Sequence, residues 1–334
     1  MKALFAVLAL TLACRDAPAP PANASRDVDQ VIAADLMGRG VDEVVTWADS
    51  SLTWSGGSQV ISGRMISHSV GPSDGSGERV AMVFGRSKAD PKALPTAWVL
   101  DRSGIQKVDI EASRFSDVEV VADGIILTIA ERDKQTRSVL VSPRGTTELV
   151  SGIMGLKARR LSDGAGVAMG RLYGDRPRSD GGLEIHVAGE APRTIPTVRG
   201  VRTLGTGDVD GDGHIDLVFA DGWHFRYAKQ GEARLAVLPG PAFESPIRVG
   251  EIADSYAIDA VEVVSPGQIL AVGTSTVVMF EQTSLGWSQR TLAARAKGGI
   301  PVVWRSQGRW FGIGPSAWLV FGREGSPPIE LPQN

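Results

Sequence analysis

Residues 207–219 read Gly207-Asp208-Val209-Asp210-Gly211-Asp212-Gly213-His214-Ile215-Asp216-Leu217-Val218-Phe219, an acidic, glycine-punctuated loop that runs straight into an apolar segment. Alternate positions of a tightly curled backbone point inward, so Asp208, Asp210, Asp212 and Asp216 are expected to converge on one centre. Ca2+ takes six to eight oxygen ligands, mostly carboxylate and carbonyl, at about 2.3–2.6 Å. The seventh position, His214, is expected to lend its main-chain carbonyl rather than its imidazole. Gly211 and Gly213 permit the dihedral angles that the curl needs. Four carboxylates held together repel one another severely unless a cation neutralises them. Such a cage is full, which points to a structural ion rather than a catalytic one; a solvated acidic turn without metal is the competing reading. An EF-hand begins the same way but needs an acid at position twelve and a helix on either side. Position twelve here is Phe219, inside a β-patterned run.

Fainter copies of the loop lie on both sides of it. Asp74-Gly75-Ser76-Gly77 precedes Val80 to Phe84, Asp163-Gly164-Ala165-Gly166 precedes Val167 to Met169, and Asp123-Gly124 precedes Ile125 to Leu127. Gly38-Arg39-Gly40-Val41-Asp42 precedes Val44-Val45. Glu251 and Asp259 repeat the spacing of Asp208 and Asp216, with Val261 and Val263 following, and the last copy is sought at Gly298-Gly299 before Val302. Taking Met37, Asp74, Asp123, Asp163, Asp210 and Ala253 as the third loop position of each gives a period of about 43 residues, within the range of repeat architectures. Residues 28–334 then leave room for about seven units.

The unit around the acidic loop reads as four short strands: Val201 to Leu204, Leu217 to Ala220, Trp223 to Tyr227 after an Asp221-Gly222 turn, and Leu235 to Leu238 closed by Pro239-Gly240. Short strands joined by Asp, Gly and Pro turns make an antiparallel meander, and no stretch sustains the spacing of a long amphipathic helix. Composition agrees, since 40 of 334 residues are Gly and 43% are hydrophobic, enough for a large core. The expected fold class is all-β, a seven-bladed β-propeller of four-stranded antiparallel blades, because radial packing buries both faces of each sheet and shields the edges. Trp54, Trp98, Trp223 and Trp318 fall in the third strand of their units and are read as wedges between blades.

The whole acidic pattern followed by Leu-Val-Phe resembles the FG-GAP (VCBS-type) repeat of integrin α-subunit propellers and bacterial surface proteins. The resemblance implies a seven-bladed propeller with calcium in a loop between the first two strands of a blade. Carried onto this sequence, the ligands are Asp208, Asp210, Asp212, the His214 carbonyl and Asp216. Elsewhere the ligand positions have decayed: Met37 and Arg39 replace acids in the first unit, Pro72 stands at the head of the second, Leu161 and Ala165 spoil the fourth, and Ala253 and Ser255 the sixth. One firm calcium site is therefore expected.

The chain opens with Met1-Lys2, an apolar run from Ala3 to Ala13, and Cys14, its only cysteine. The run fits a secretory signal and is shorter than the roughly 20 residues a spanning helix needs. Leu10-Thr11-Leu12-Ala13-Cys14 resembles the lipobox of bacterial lipoproteins, which implies cleavage before Cys14 and lipid attachment there; Arg15 after the cysteine implies the outer membrane. A secretory signal with a secreted or periplasmic product is the alternative. Residues 1–13 are thus read as signal peptide, 14–27 as a Pro/Ala-rich tether, and 28–334 as the propeller domain.

A formal charge of -3 gives no basic excess for nucleic acid. The sequence contains no phosphate-binding Gly-x-x-x-x-Gly-Lys loop. His68, His186, His214 and His224 lack metal-type spacing and are read as surface or strand residues. Lys157, Arg159, Arg160, Arg171, Arg176 and Arg178 are read as a solvated surface. The leading expectation is a monomeric, lipid-anchored, calcium-stabilised module that binds protein or polysaccharide at the cell envelope and performs no chemistry. A secreted carbohydrate-active enzyme (polysaccharide lyase or glycosidase) and a scaffold for envelope assembly are the alternatives.

Overall fold

The computed structural model describes residues 30–331 apart from 40–42, 49, 74–76, 87–89, 132–134, 154, 162–165, 172–181, 188–189, 197–199, 222–233, 253–257, 274–275, 295–301, 307–308, 314–317 and 322–328. Cys14 and the signal and tether segments lie outside the described residues.

Among the described residues every regular element is a strand. The first sheet holds β1 (Gln30–Ala34), β2 (Glu43–Ala48), β3 (Ser51–Trp54) and β4 (Gly57–Val60). The second holds β5 (Arg64–Pro72), β6 (Glu78–Gly85), β7 (Thr96–Asp101) and β8 (Gly104–Val108). The third holds β9 (Phe115–Val121), β10 (Gly124–Ala130), β11 (Thr136–Ser142) and β12 (Gly145–Ile153). The fourth holds β13 (Gly155–Arg160), β14 (Gly166–Arg171), β15 (Gly182–Val187) and β16 (Arg193–Pro196). The fifth holds β17 (Val201–Gly207), β18 (Asp216–Asp221), β19 (Arg234–Leu238) and β20 (Ile247–Glu251). The sixth holds β21 (Ile258–Ser265), β22 (Gln268–Gly273), β23 (Thr276–Thr283) and β24 (Gly286–Ala294). The last group is β25 (Val302–Ser306), β26 (Arg309–Ile313), β27 (Trp318–Phe321) and β28 (Ile329–Leu331).

Each group of four pairs in strict chain order as an antiparallel sheet, and among the described residues no strand is exchanged between sheets. First strands lie side by side: β5 against β9, β9 against β13, β13 against β17, β17 against β21, and β1 against β25.

The core is a series of apolar layers between neighbouring sheets. In β18, Leu217 and Phe219 pack with Leu183 and Ile185 of the fourth sheet, while Val218 and Ala220 pack with Ile269 and Phe280 of the sixth. Successive side chains of a strand point to opposite faces, so a strand buried on both faces must be apolar throughout, and Leu217 to Ala220 is. Between the first two sheets, Trp47 of β2 meets Phe84 of β6 with ring centroids 4.8 Å apart at 59°, and Trp54 and Trp98 pack against the edge of the same layer. The inner wedge is therefore Trp47, at a second-strand position, with Trp54 and Trp98 half-buried at its margin.

Two expectations about phase are corrected. In the fifth sheet the third strand is Arg234–Leu238, not Trp223 to Tyr227, and the fourth is Ile247–Glu251. Leu217 stands opposite Leu238, and Phe219 opposite Ala236. The continuous apolar run Leu235 to Leu238 suits the doubly covered position beside β18 better than His224-Phe225-Arg226-Tyr227 would. Trp223 itself lies outside the described residues, and Trp318 opens the third strand of its sheet. In the sixth unit, Glu251 ends the preceding sheet and Asp259 sits inside β21, a first strand. The connection from β21 to β22 is the tight Pro266-Gly267 turn, with Gly267 at φ +75°, too short to carry an Asp-x-Asp pattern. Gly298-Gly299 likewise precedes a first strand, β25, and lies outside the described residues.

Candidate metal site and axial charge cluster

The acidic loop connects β17 to β18, the first two strands of the fifth sheet. Its curl is built by side chains capping the loop's own backbone. Asp208 accepts from the N–H of Gly211 through Oδ1 at 2.7 Å and from that of Gly213 through Oδ2 at 3.0 Å. Asp210 accepts from the Asp212 N–H at 3.1 Å, and Asp212 from the His214 N–H at 2.7 Å. Gly211 and Gly213 take φ of +80° and +89°, which a side chain would strain.

Asp216 anchors the loop. It has no exposed surface, and its Oδ2 and Oδ1 accept from the backbone N–H groups of Val209, at 2.7 Å, and Gly240, at 2.8 Å. Burial pushes its carboxyl above the usual carboxylate range, the two N–H donors oppose that, and the Asp210 charge adds to it. The loop is also fastened to the sixth sheet, because Gly267 donates its N–H to the Val209 carbonyl at 2.6 Å.

Of the expected ligands, Asp208, Asp210 and Asp216 present carboxylate oxygens that all lie within 4.8 Å of one another. Two oxygens on opposite sides of a Ca2+ ion stand about 4.6–5.2 Å apart, so the three fit a common hard cation. Asp212 is not in that group; its carboxylate caps His214 at the exposed rim. Among the described residues the corresponding loop of the first sheet contains no such group. There Asp35 caps the Arg39 N–H at 2.9 Å, and Glu78 of the second sheet accepts the Asp35 N–H at 2.9 Å.

A second cluster escaped the sequence reading. On β9 and β13, acids at positions 117 and 119 face bases at 157 and 159. Arg159 donates through Nη1 to Asp117 Oδ2 at 2.6 Å, and its Nε lies 3.9 Å from Glu119 Oε1. Ser67 of β5 donates to Asp117 Oδ1 at 2.6 Å, and the Arg160 N–H donates to Glu119 Oε2 at 3.0 Å. Burial alone would raise the Asp117 carboxyl, but Arg159, Lys157 and the Ser67 hydroxyl hold it below the usual range. Burial pushes Glu119 up to about 7 despite Arg159. Burial, aided by Lys157, brings His68 on β5 down to about 4, so it is neutral. Arg159 is thus no solvated surface residue: only 15% of its side chain is exposed. The visible signal was a pair of acids two apart on one strand and a pair of bases two apart on another, which places each pair on one strand face.

No protein-family model matches the chain, and no curated protein matches it. Solved structures do. Hydrazine synthase from Kuenenia stuttgartiensis aligns over 90% of this chain and 97% of its own at 9% identity, with a TM-score of 0.60. The periplasmic gluconolactonase PpgL of Pseudomonas aeruginosa aligns over 90% and 94% at 12% identity, with a TM-score of 0.57. The fold is a β-propeller. At such identities the likeness concerns architecture alone.

Proposed function

We propose that this chain is a calcium-stabilised, seven-bladed propeller, tethered to the outer membrane through lipid on Cys14, that binds a protein or polysaccharide at the cell envelope. The observation that carries the calcium reading is the convergence of Asp208, Asp210 and Asp216 in a loop fastened to the next blade. Those residues would hold the ion, which would supply positive charge to a loop that otherwise repels itself and would thereby lock the fifth blade to the sixth. The seven-blade ring rests on β25–β28 as the closing blade, with β1 against β25. Lipid anchoring rests on Leu10 to Cys14 and the Pro/Ala-rich tether.

The binding reading is preferred to a carbohydrate-active enzyme because Asp117, the buried acid of the axial cluster, serves the scaffold. Both oxygens of Asp117 are engaged, by Ser67 and Arg159, across three blades. A polysaccharide lyase or glycosidase needs carboxyls free to meet substrate.

Thermal unfolding of the full chain with Ca2+ and with chelator tests the metal. A chelator that leaves the midpoint unmoved overturns it. Fractionation of Cys14→Ser tests the anchor: the variant is expected to leave the membrane fraction, and equal fractionation of variant and parent removes the lipoprotein assignment. Pull-down from envelope extracts and a glycan array distinguish protein from polysaccharide partners.

A further inference from the structure

The junction between the third and fourth blades combines an apolar layer with charged links near the axis. Among the described residues its apolar layer contains Val121, Ile126, Val150, Ala158, Val167 and Met169. Beside it run ionic links near the axis. Asp117 bonds Arg159, Glu119 accepts from the Arg160 backbone, and Asp123 pairs with the Arg160 guanidinium. Two carboxylates on one face of β9 therefore compete for one guanidinium. Asp117 has it at 2.6 Å, and Glu119 stands off at 3.9 Å, under-compensated, with 12% of its side chain exposed.

We propose that Glu119 is a proton switch in this seam: protonated, it leaves Arg159 to Asp117 and closes β13 onto β9; ionised, it divides Arg159 between two acids and loosens the two blades. The charged groups around it fit that role. On its own strand stands Asp117. From β13 come Lys157, Arg159 and Arg160, the last drawn off by Asp123. β5 contributes His68, neutral near Asp117, and β21 contributes Glu262, which competes electrostatically for Arg159. β10, paired with β9, has no ionisable side chain. β6 turns Ala81 and Val83 toward the layer shared with β9, while its Arg79 bonds the Pro72 carbonyl.

A carboxyl raised in the folded state from 4.5 to about 7 holds a proton that the unfolded chain has lost. Stability therefore falls as pH rises through that window. His68, depressed to about 4, works in the opposite direction between 6.5 and 4, so wild type alone conceals the effect and a difference between variants is required. Glu119→Gln keeps an acceptor for the Arg160 N–H and removes the charge.

Thermal midpoints of the full chain are to be measured from pH 5 to 8.5 for wild type, Glu119→Gln, Asp117→Asn and the double variant. The midpoint of Glu119→Gln relative to wild type is expected to rise by roughly 2–8 °C across that range. The rise is expected to vanish in the Asp117→Asn background, where Arg159 serves Glu119 alone. A difference independent of pH, or one that persists in that background, overturns the proposal. If Glu119→Gln fails to fold, carboxyl carbon NMR of wild type decides: a glutamate titrating near 7 supports the switch, and none titrating above 5.5 overturns it.

Discussion

The carboxylate of Asp216 accepts a 2.8 Å hydrogen bond from the backbone N–H of Gly240, 24 residues further along the chain. Its other oxygen holds Val209 at the base of the acidic loop. One buried side chain thus ties the loop to the end of the third strand of its own blade. Removing it in Asp216→Ala leaves two N–H donors without their acceptor, at a cost of about 2–4 kcal/mol. Chemical denaturation with and without Ca2+ checks this. The loss is expected to persist in chelator, because the two bonds do not depend on the metal.

Asp210 is exposed and caps only the neighbouring Asp212 N–H. Asp210→Ala is therefore expected to change the apo protein little and to abolish the rise of the thermal midpoint with Ca2+. At calcium a hundredfold above the dissociation constant, a single native-state site stabilises by about 2.7 kcal/mol. Differential scanning calorimetry of both proteins across a calcium series measures it.

Gly207, the last residue of β17, lies against the sixth blade so closely that an added Cβ would stand 2.5 Å from Val263 Cβ. Valine is stiff about χ1 and cannot swing away. Gly207→Ala is expected to destabilise by about 1–3 kcal/mol through overpacking, and Val263→Ala in the same chain is expected to recover part of it. Urea denaturation of the single and double variants provides the comparison.

Arg159→Met leaves Asp117 buried opposite an apolar group, an expected loss of about 3–5 kcal/mol. Adding Asp117→Asn is expected to return much of it. In the wild type, Asp117 is held below its usual range. Its contribution is therefore complete above about pH 3.9 and is lost as pH falls through the lower folded value. Acid unfolding of Asp117→Asn is expected to be correspondingly less steep at that end, as followed by circular dichroism.

Trp47 is 2% exposed and joins the first two blades through Phe84. Trp47→Ala is expected to cost about 3–5 kcal/mol. Trp54→Ala, at a half-buried margin, is expected to cost visibly less. Comparing the two denaturation midpoints establishes which tryptophan is the inner wedge.

Strand content, the four-strand unit and the place of the acidic loop between first and second strands were all legible in the sequence. These are local matters: turn residues, alternating or continuous apolar runs, and glycines at backbone angles other residues resist. The convergence of Asp208, Asp210 and Asp216 was likewise readable from spacing, because a nine-residue loop can curl in few ways. The phase of the last two units was not. A Pro266-Gly267 turn has none of the acidic signature, and Val261 and Val263 suit a first strand as well as a second. Which tryptophan lies innermost, and that Arg159 bonds Asp117 rather than water, depend on which strand faces lie opposite one another after the blades are stacked. Asp117 and Arg159 are 42 residues apart, and nothing in either neighbourhood encodes the other. Only radial packing, which sets the innermost strands of neighbouring sheets side by side, brings the acids of one strand to the bases of the next and shields both from solvent.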